Sequence, residues 1–206
     1  ILSSPVEDPM EWEEPGGEEP CYDAAEMAAM ADLREKLLTI LADPARSEAQ
    51  AFLDCLETVF GPFEAQEEPD LPAIVAVFRD LEMLTELWPR KLREAAPRPL
   101  DPKVRPLAAY LLRRYWFQEI GLGLPDAEGK LGFVIAACLL VNSLPGDFTE
   151  NAQLFSKEIE NSDCNPETLI VTGFTPEELS AIQERLGMER GDVALIVADS
   201  NRVTLP

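Results

Sequence analysis

Two carboxylates two residues apart, Glu158 and Glu160 in the run SKEIENSDCN, are the residues of this chain whose type and spacing first suggest chemistry. A paired-carboxylate acid/base site needs both groups aimed at one reacting centre. On a helix, residues that share a face are three or four positions apart, so Glu158 and Glu160 project to different sides and do not make such a pair. One of them could orient a lysine ammonium; otherwise both belong to a solvated helix face. A second group is aromatic and cationic: Tyr110, Arg113, Arg114, Tyr115, Trp116 and Phe117. Tyr110 and Trp116 could stack on an adenine or line a lysine channel, and at helical spacing such rings also serve as core. Arg113 and Arg114 end a cationic stretch from Arg90 that holds eight of the 17 basic residues. That stretch either neutralises acid elsewhere in the chain or forms an anion site for a cofactor carboxylate or an acidic peptide. No residue is assigned a catalytic role.

Composition removes several classes of function. The 206 residues suffice for one domain with a sizeable core, or one domain with an appendage. With 39 acidic residues the formal net charge is −22, a poor surface for nucleic acid, whose binding is driven by cationic side chains. Basic or lysine-rich partners are steered towards it instead. Histidine is absent, which removes Ser-His-Asp and Cys-His catalysis and imidazole metal ligation within the chain. Cys21, Cys55, Cys138 and Cys164 have no CxxC or CxxxC spacing, so no zinc or iron–sulfur site is encoded locally. Gly121 and Gly123 are followed by Pro125, not by the further glycine and helix of a dinucleotide fingerprint. Ile1 to Asp32 has no Lys or Arg and so lacks the cationic start of a secretion signal, and the longest apolar block, Phe133 to Val141, is too short to span a membrane. The expectation is a cytoplasmic protein without a membrane segment.

The elements that must position these side chains follow from periodicity and caps. Residues 1–22 are rich in Pro, Gly and Glu and read as an extended acidic arm, with Met10 and Trp12 available to anchor it. Residues 23–170 read as a helical domain and 171–206 as a helix-strand appendage. Asp23 with Glu26 caps a first helix to about Ala42, and Ser47 with Gln50 caps a second that stops at Gly61. A third helix is expected from about Leu71 to Trp88, with Leu84 and Leu87 on its core stripe and Pro89 breaking it. A Pro-rich crossover from Pro97 to Pro106 overlaps the start of a fourth helix, from about Val104 to Ile120. The fifth, Ala127 to Leu144, is nearly all apolar from Leu131 on and should be central. The sixth starts near Phe148 behind the Asp147–Glu150 capping box and ends at Asn161 to Asp163. Beyond it, Thr175, Pro176 and Glu178 start a helix to Leu186, with a strand at Val193 to Ala198 and a second at Val203 to Leu205. The fold class is mainly α, a bundle of about six helices with a small helix-strand tail.

The run Ser156 to Asp163, with Asn165 after it, resembles the C-terminal signature of the flagellin lysine N-methylase family. Pro9 to Glu14, reading PMEWEE, is similar to that family's PMEFEE segment, and Leu107 to Leu144 is similar to the paired apolar helices before its signature. The similarity covers roughly residues 5–170; one departure is Asn161, where the family often carries His. The resemblance implies methyl transfer from S-adenosylmethionine to lysine side chains of flagellin. It further implies a cysteine cluster upstream of Pro5, outside this chain, where alone an iron–sulfur cluster could be held. On that reading Glu158, Glu160, Tyr110 and Trp116 contact the substrate or partner and Arg113 and Arg114 the cofactor, no metal is held, and the chain does not catalyse alone. The competing expectation is a non-catalytic acidic helical adaptor for a basic protein. Residues 174–199 also resemble a segment of the insertion domain of bacterial aspartyl-tRNA synthetases, not a catalytic part of those enzymes.

Overall fold

The computed structural model describes residues 23–63, 71–118, 127–162 and 164–179, and they are mainly α-helical. The arm 1–22, the end of the fourth expected helix at Ile120, and the strands Val193 to Ala198 and Val203 to Leu205 lie outside the described residues.

Helix α1, Ala24–Ala42, starts where the sequence places it, with the Asp23 side chain accepting from the Ala25 amide at 3.0 Å. Helix α2, Glu48–Phe60, is capped by Ser47, whose Oγ accepts from Gln50 N at 3.2 Å, and ends at Gly61, whose φ of 78° suits a residue without Cβ. The guanidinium of Arg105 closes the turn between them. It donates to the carbonyls of Leu41, Asp43 and Arg46 at 2.7, 2.5 and 2.8 Å, filling acceptors that the end of α1 leaves open.

The expected third helix is two. Helix α3 covers Leu71–Arg79, an irregular loop follows, and α4 covers Leu87–Arg93. Pro89 therefore does not break a helix; it sits in the first turn of a new one, where its missing amide has no intrahelical partner to lose. The split also corrects the core stripe. Leu84 and Leu87 are 44% and 38% exposed, whereas Leu81, Trp88 and Leu92 are buried.

Helix α5, Val104–Tyr115, runs antiparallel to α1: Trp116 Nε1 at its end donates to Met30 O at 2.7 Å, while Arg105 at its start reaches the far end of α1. Helix α6, Ala127–Ser143, is buried from Gly129 to its end and packs against α2, α3 and α5. Such an all-round apolar helix has nowhere stable to go but the centre of a bundle. Lys130, 1% exposed, donates to the carbonyls of Trp116 and Gln118, closing the C-terminal end of α5 against α6. Asn142 binds the Pro-rich crossover, accepting from Asp101 N at 2.9 Å and donating to Pro99 O at 3.2 Å.

Helix α7, Phe148–Phe155, is capped by Asp147, which accepts from the Thr149 and Glu150 amides. Those donors and nearby Lys103 hold the Asp147 carboxyl below its ordinary range. The helix continues without a break into a π-helical turn, Ser156–Glu160, and after a short connection α8 runs over Asn165–Thr172. Helix α8 is not among the helices expected from the sequence, although Pro166 at its start is a helix-opening signal. The Thr175–Glu178 capping box forms, with reciprocal bonds of 2.9 and 3.3 Å, and its helix is described as far as Leu179.

Candidate functional site

The π-helical turn decides where the two carboxylates go. Its wider winding comes directly after α7, and the five residues Ser156–Glu160 sit between α5 on one side and the α3–α4 loop on the other. π-Helical turns within α-helices are uncommon and frequently mark functional positions.

Glu158 faces the loop and is fully buried. Its Oε2 accepts from the amides of Leu84 and Thr85 at 2.7 and 3.3 Å, and its Oε1 takes the Thr85 hydroxyl. The rest of the signature holds the same loop. Asn165 accepts from Glu82 N at 3.2 Å and donates from Nδ2 to Glu82 O at 2.9 Å and to the carbonyl of Glu158 at 3.0 Å. Ser162 donates to the Glu82 carboxylate at 3.0 Å and accepts from Asn165 N at 3.3 Å, opening α8 at the same time. Glu158, Ser162 and Asn165 thus clamp residues 82–85, a stretch whose amides have no helix or sheet to satisfy them. No ligand reaches Glu158 in this arrangement.

Glu160 faces α5. Its Oε2 accepts from Tyr110 OH at 2.9 Å, from Tyr115 OH at 3.3 Å and from Arg114 Nε at 2.9 Å. No described group hydrogen-bonds Oε1, although a carboxylate has several acceptor positions to fill. Tyr115 is buried and lies edge-on to Phe133 with ring centroids 5.2 Å apart. Burial, reinforced by the Glu160 charge, pushes its phenol up to about 12, with Arg114 opposing. Tyr110 is displaced in the same direction, first by burial and then by its bond to Glu160, yet 46% of it is exposed. The cluster therefore has a sealed floor, Tyr115, and an exposed rim, Tyr110 and Arg114. The Glu160 side chain between them is only 4% exposed, so the rim covers it.

Of the six residues singled out by the sequence, the structure brings together Glu160, Tyr110 and Arg114. Glu158 is removed to the opposite side of the turn. Trp116 is fully buried, its indole bonded to Met30 O, so it offers no face to an adenine or a lysine. Arg113 is exposed on α5, and among the described residues its guanidinium reaches only the Ala109 carbonyl, at 3.4 Å. Arg114 thus belongs to the Glu160 cluster and Arg113 lies outside it, so the two arginines do not converge on one point. Among the described residues no group of three or more His, Cys, Asp or Glu side chains is placed to hold a metal ion, and no helix is long and apolar enough to cross a membrane.

Sequence reasoning misses two features. Tyr115 completes the carboxylate cluster; in the sequence it reads only as part of an aromatic run, although its position next to Arg114 puts a hydroxyl beside a guanidinium. The second is a groove of about 510 Å³ between the end of α2 and the end of α8, walled by Phe60, Phe63, Ile170 and Phe174 with Glu128 and Glu177 at its edge. It contains none of the six residues. Compared with known proteins, the chain matches no family model, no curated protein and no solved structure.

Proposed function

We propose that this helical body is a protein-binding module that receives a lysine side chain at Glu160, as part of a flagellin lysine N-methylase-like protein whose methyl transfer is completed outside this chain. The observation that carries the reading is the uneven use of Glu160. One carboxylate oxygen is saturated by Tyr110, Tyr115 and Arg114, and the other has no partner among the described residues. Entry requires the exposed Tyr110 ring or the Arg114 guanidinium to swing aside from the covered carboxylate. An ammonium reaching Oε1 would then lay its methylenes along the Tyr110 ring, a combination of charge pairing and cation–π attraction suited to lysine. Arg114 already neutralises much of Glu160, so the pocket selects by geometry more than by net charge.

The same chemistry argues for binding and against catalysis. Lysine attacks a methyl group only as the neutral amine, and a carboxylate beside it stabilises the charged ammonium. Glu160 therefore holds a lysine in the form that does not react. Flagellin is the partner that the resemblance implies, and S-adenosylmethionine is the methyl donor for the complete protein.

The test is binding of flagellin to the 206-residue chain by titration calorimetry, beside the Glu160→Gln and Tyr110→Phe variants. We expect Glu160→Gln to weaken binding by about tenfold, the scale of one charge-assisted contact. Unchanged affinity in both variants rejects the site. Methylation of flagellin by this chain alone rejects the division of labour.

The net charge of −22 favours a second reading, a general acidic adaptor for basic proteins. It predicts binding that ignores partner identity and collapses at high salt.

A further inference from the structure

The groove where α2 and α8 end combines aromatic walls with a negative field. Its volume of about 510 Å³ lies in the range of small-ligand sites, and Phe60, Phe63 and Phe174 wall it. The face of a phenyl ring carries partial negative charge and attracts cations. Both helices place their C-terminal ends at the groove, and helix C-termini carry partial negative charge too. The end of α2 is closed by Gly61 N on Glu57 O at 3.0 Å, whereas among the described residues no amide closes α8 at Gly173. Two further helices begin here, α6 and the one after Thr175, and their first turns carry Glu128, Glu177 and Glu178, which offset their positive ends. The described residues that line the groove include no cation. Residues 48–63 carry three carboxylates and residues 164–179 another three, and neither stretch has a Lys or Arg. Asp54, which pairs with Arg46, is not among the groove's lining residues. Lys130 follows the lining residue Gly129, but it is buried and directs its ammonium to the Trp116 and Gln118 carbonyls.

From this we infer that the groove binds the trimethylammonium group of a modified lysine carried by a partner protein. Ring walls and edge charge together select that cation. A primary ammonium has three N–H donors to satisfy, and phenyl walls leave them without acceptors, so it stays in water beside the carboxylates. A trimethylammonium keeps the charge and has no donor. Its methyl groups pack on the rings while Glu128 and Glu177, at the edge, supply opposite charge without a hydrogen bond from the ligand. The rim favours a protein-borne group over a free one. Val171, 68% exposed, and the exposed Pro62 form apolar shoulders on which the methylene stem and the flanking peptide can lie. An anionic lipid surface is repelled by the net charge of −22. The groove shares no residue with the Glu160 cluster, so this inference does not rest on the lysine site there.

The experiment titrates the full 206-residue chain into three labelled peptides of one sequence, read by fluorescence anisotropy. Their central side chain is trimethyllysine, unmodified lysine, or a neutral isostere in which carbon replaces the trimethylated nitrogen. The trimethyllysine peptide should bind at least about tenfold more tightly than the isostere, which has the same shape and no charge. Phe63→Leu keeps apolar bulk and removes a ring; it should weaken the trimethyllysine peptide by about fivefold or more. The same variant should leave any binding of the unmodified peptide within about twofold, the margin expected for an independent site. Glu128→Gln, at an exposed position that is not needed for the core, should weaken the trimethyllysine peptide by about threefold and less so at high salt. Equal binding of trimethyllysine and isostere overturns the inference, as does trimethyllysine binding that ignores both variants. A Phe63→Leu loss that is equal for the modified and unmodified peptides overturns the selectivity and leaves the Glu160 reading to its own test. Choline chloride binding as tightly as the peptide, or retention on phosphatidylcholine vesicles, overturns the protein-borne occupant in favour of a free cation or a lipid headgroup.

Discussion

Glu158 and Glu160 are the same residue type, two positions apart on one turn, and the fold puts them to opposite uses. Glu158 is sealed beneath the α3–α4 loop and its carboxylate accepts from Leu84 and Thr85 of that loop, while Glu160 shares one oxygen among three side chains and leaves the other without a described partner. The first is an internal substitute for the solvent that loop amides lack; the second has capacity left for a donor from outside. A short signature can therefore owe its particular residues to structure at one position and to recognition at the next.

The contrast between the two carboxylates is tested hardest at Glu158. Glu158→Ala removes the shared acceptor of two amides and a hydroxyl, and we expect a loss of about 2 kcal/mol or more in urea unfolding, with faster amide exchange over residues 82–85. A loss below about 1 kcal/mol would mean that the clamp is not what holds the loop. Asn165→Ala should cost about 2 kcal/mol and loosen the same amides, because it removes the second hold on Glu82. Glu160→Gln keeps the shape and gives up charge. It should lower stability by no more than about 1 kcal/mol while weakening lysine-bearing ligands, a separation of stability from binding that Glu158 cannot show.

Alkaline titration probes the floor of the Glu160 cluster. The Tyr115 phenol lies at about 12 in the folded chain, above the value of 10.0 for an unperturbed tyrosine. The folded state then holds this proton more tightly than the unfolded state, so the stabilisation is complete below about pH 10 and is lost as pH rises towards 12. Tyr115→Phe should flatten the stability curve in that window. The smallest effect is expected at Arg113, whose replacement by Ala should leave both stability and peptide binding unchanged within error.

Much of the frame is legible in the residues themselves. Asp23, Ser47 and Asp147 announce helix starts because capping is local, and the apolar run from Leu131 announces a central helix because nothing else can bury it. The split between α3 and α4 is hidden because its cause lies far along the chain, in Glu158 and Asn165, over seventy residues from the loop they hold. Asn142 and Asn151 are hidden for the same reason. Asn151 donates to Leu144 O at 3.1 Å and also accepts from Lys91, fastening the α6–α7 corner to α4. A signal is present, since a lone amide in an apolar helix must find partners, but its partners are loop backbones that no local pattern names. Half of the candidate site is readable: Tyr110, Arg114 and Glu160 stand out by their chemistry, whereas separating Glu160 from Glu158 requires the turn's geometry.

That turn also makes the chain's length a variable. A π-helical segment accommodates one residue more than the α-helix it interrupts, so excision of the exposed Lys157 supplies the material for a regular helix. A one-codon deletion there would leave the chain downstream in phase and remove the local widening that turns Glu158 to the loop and Glu160 to α5. The spacing between two contacts on opposite sides is written here as a count of residues, and it is as heritable as any side chain.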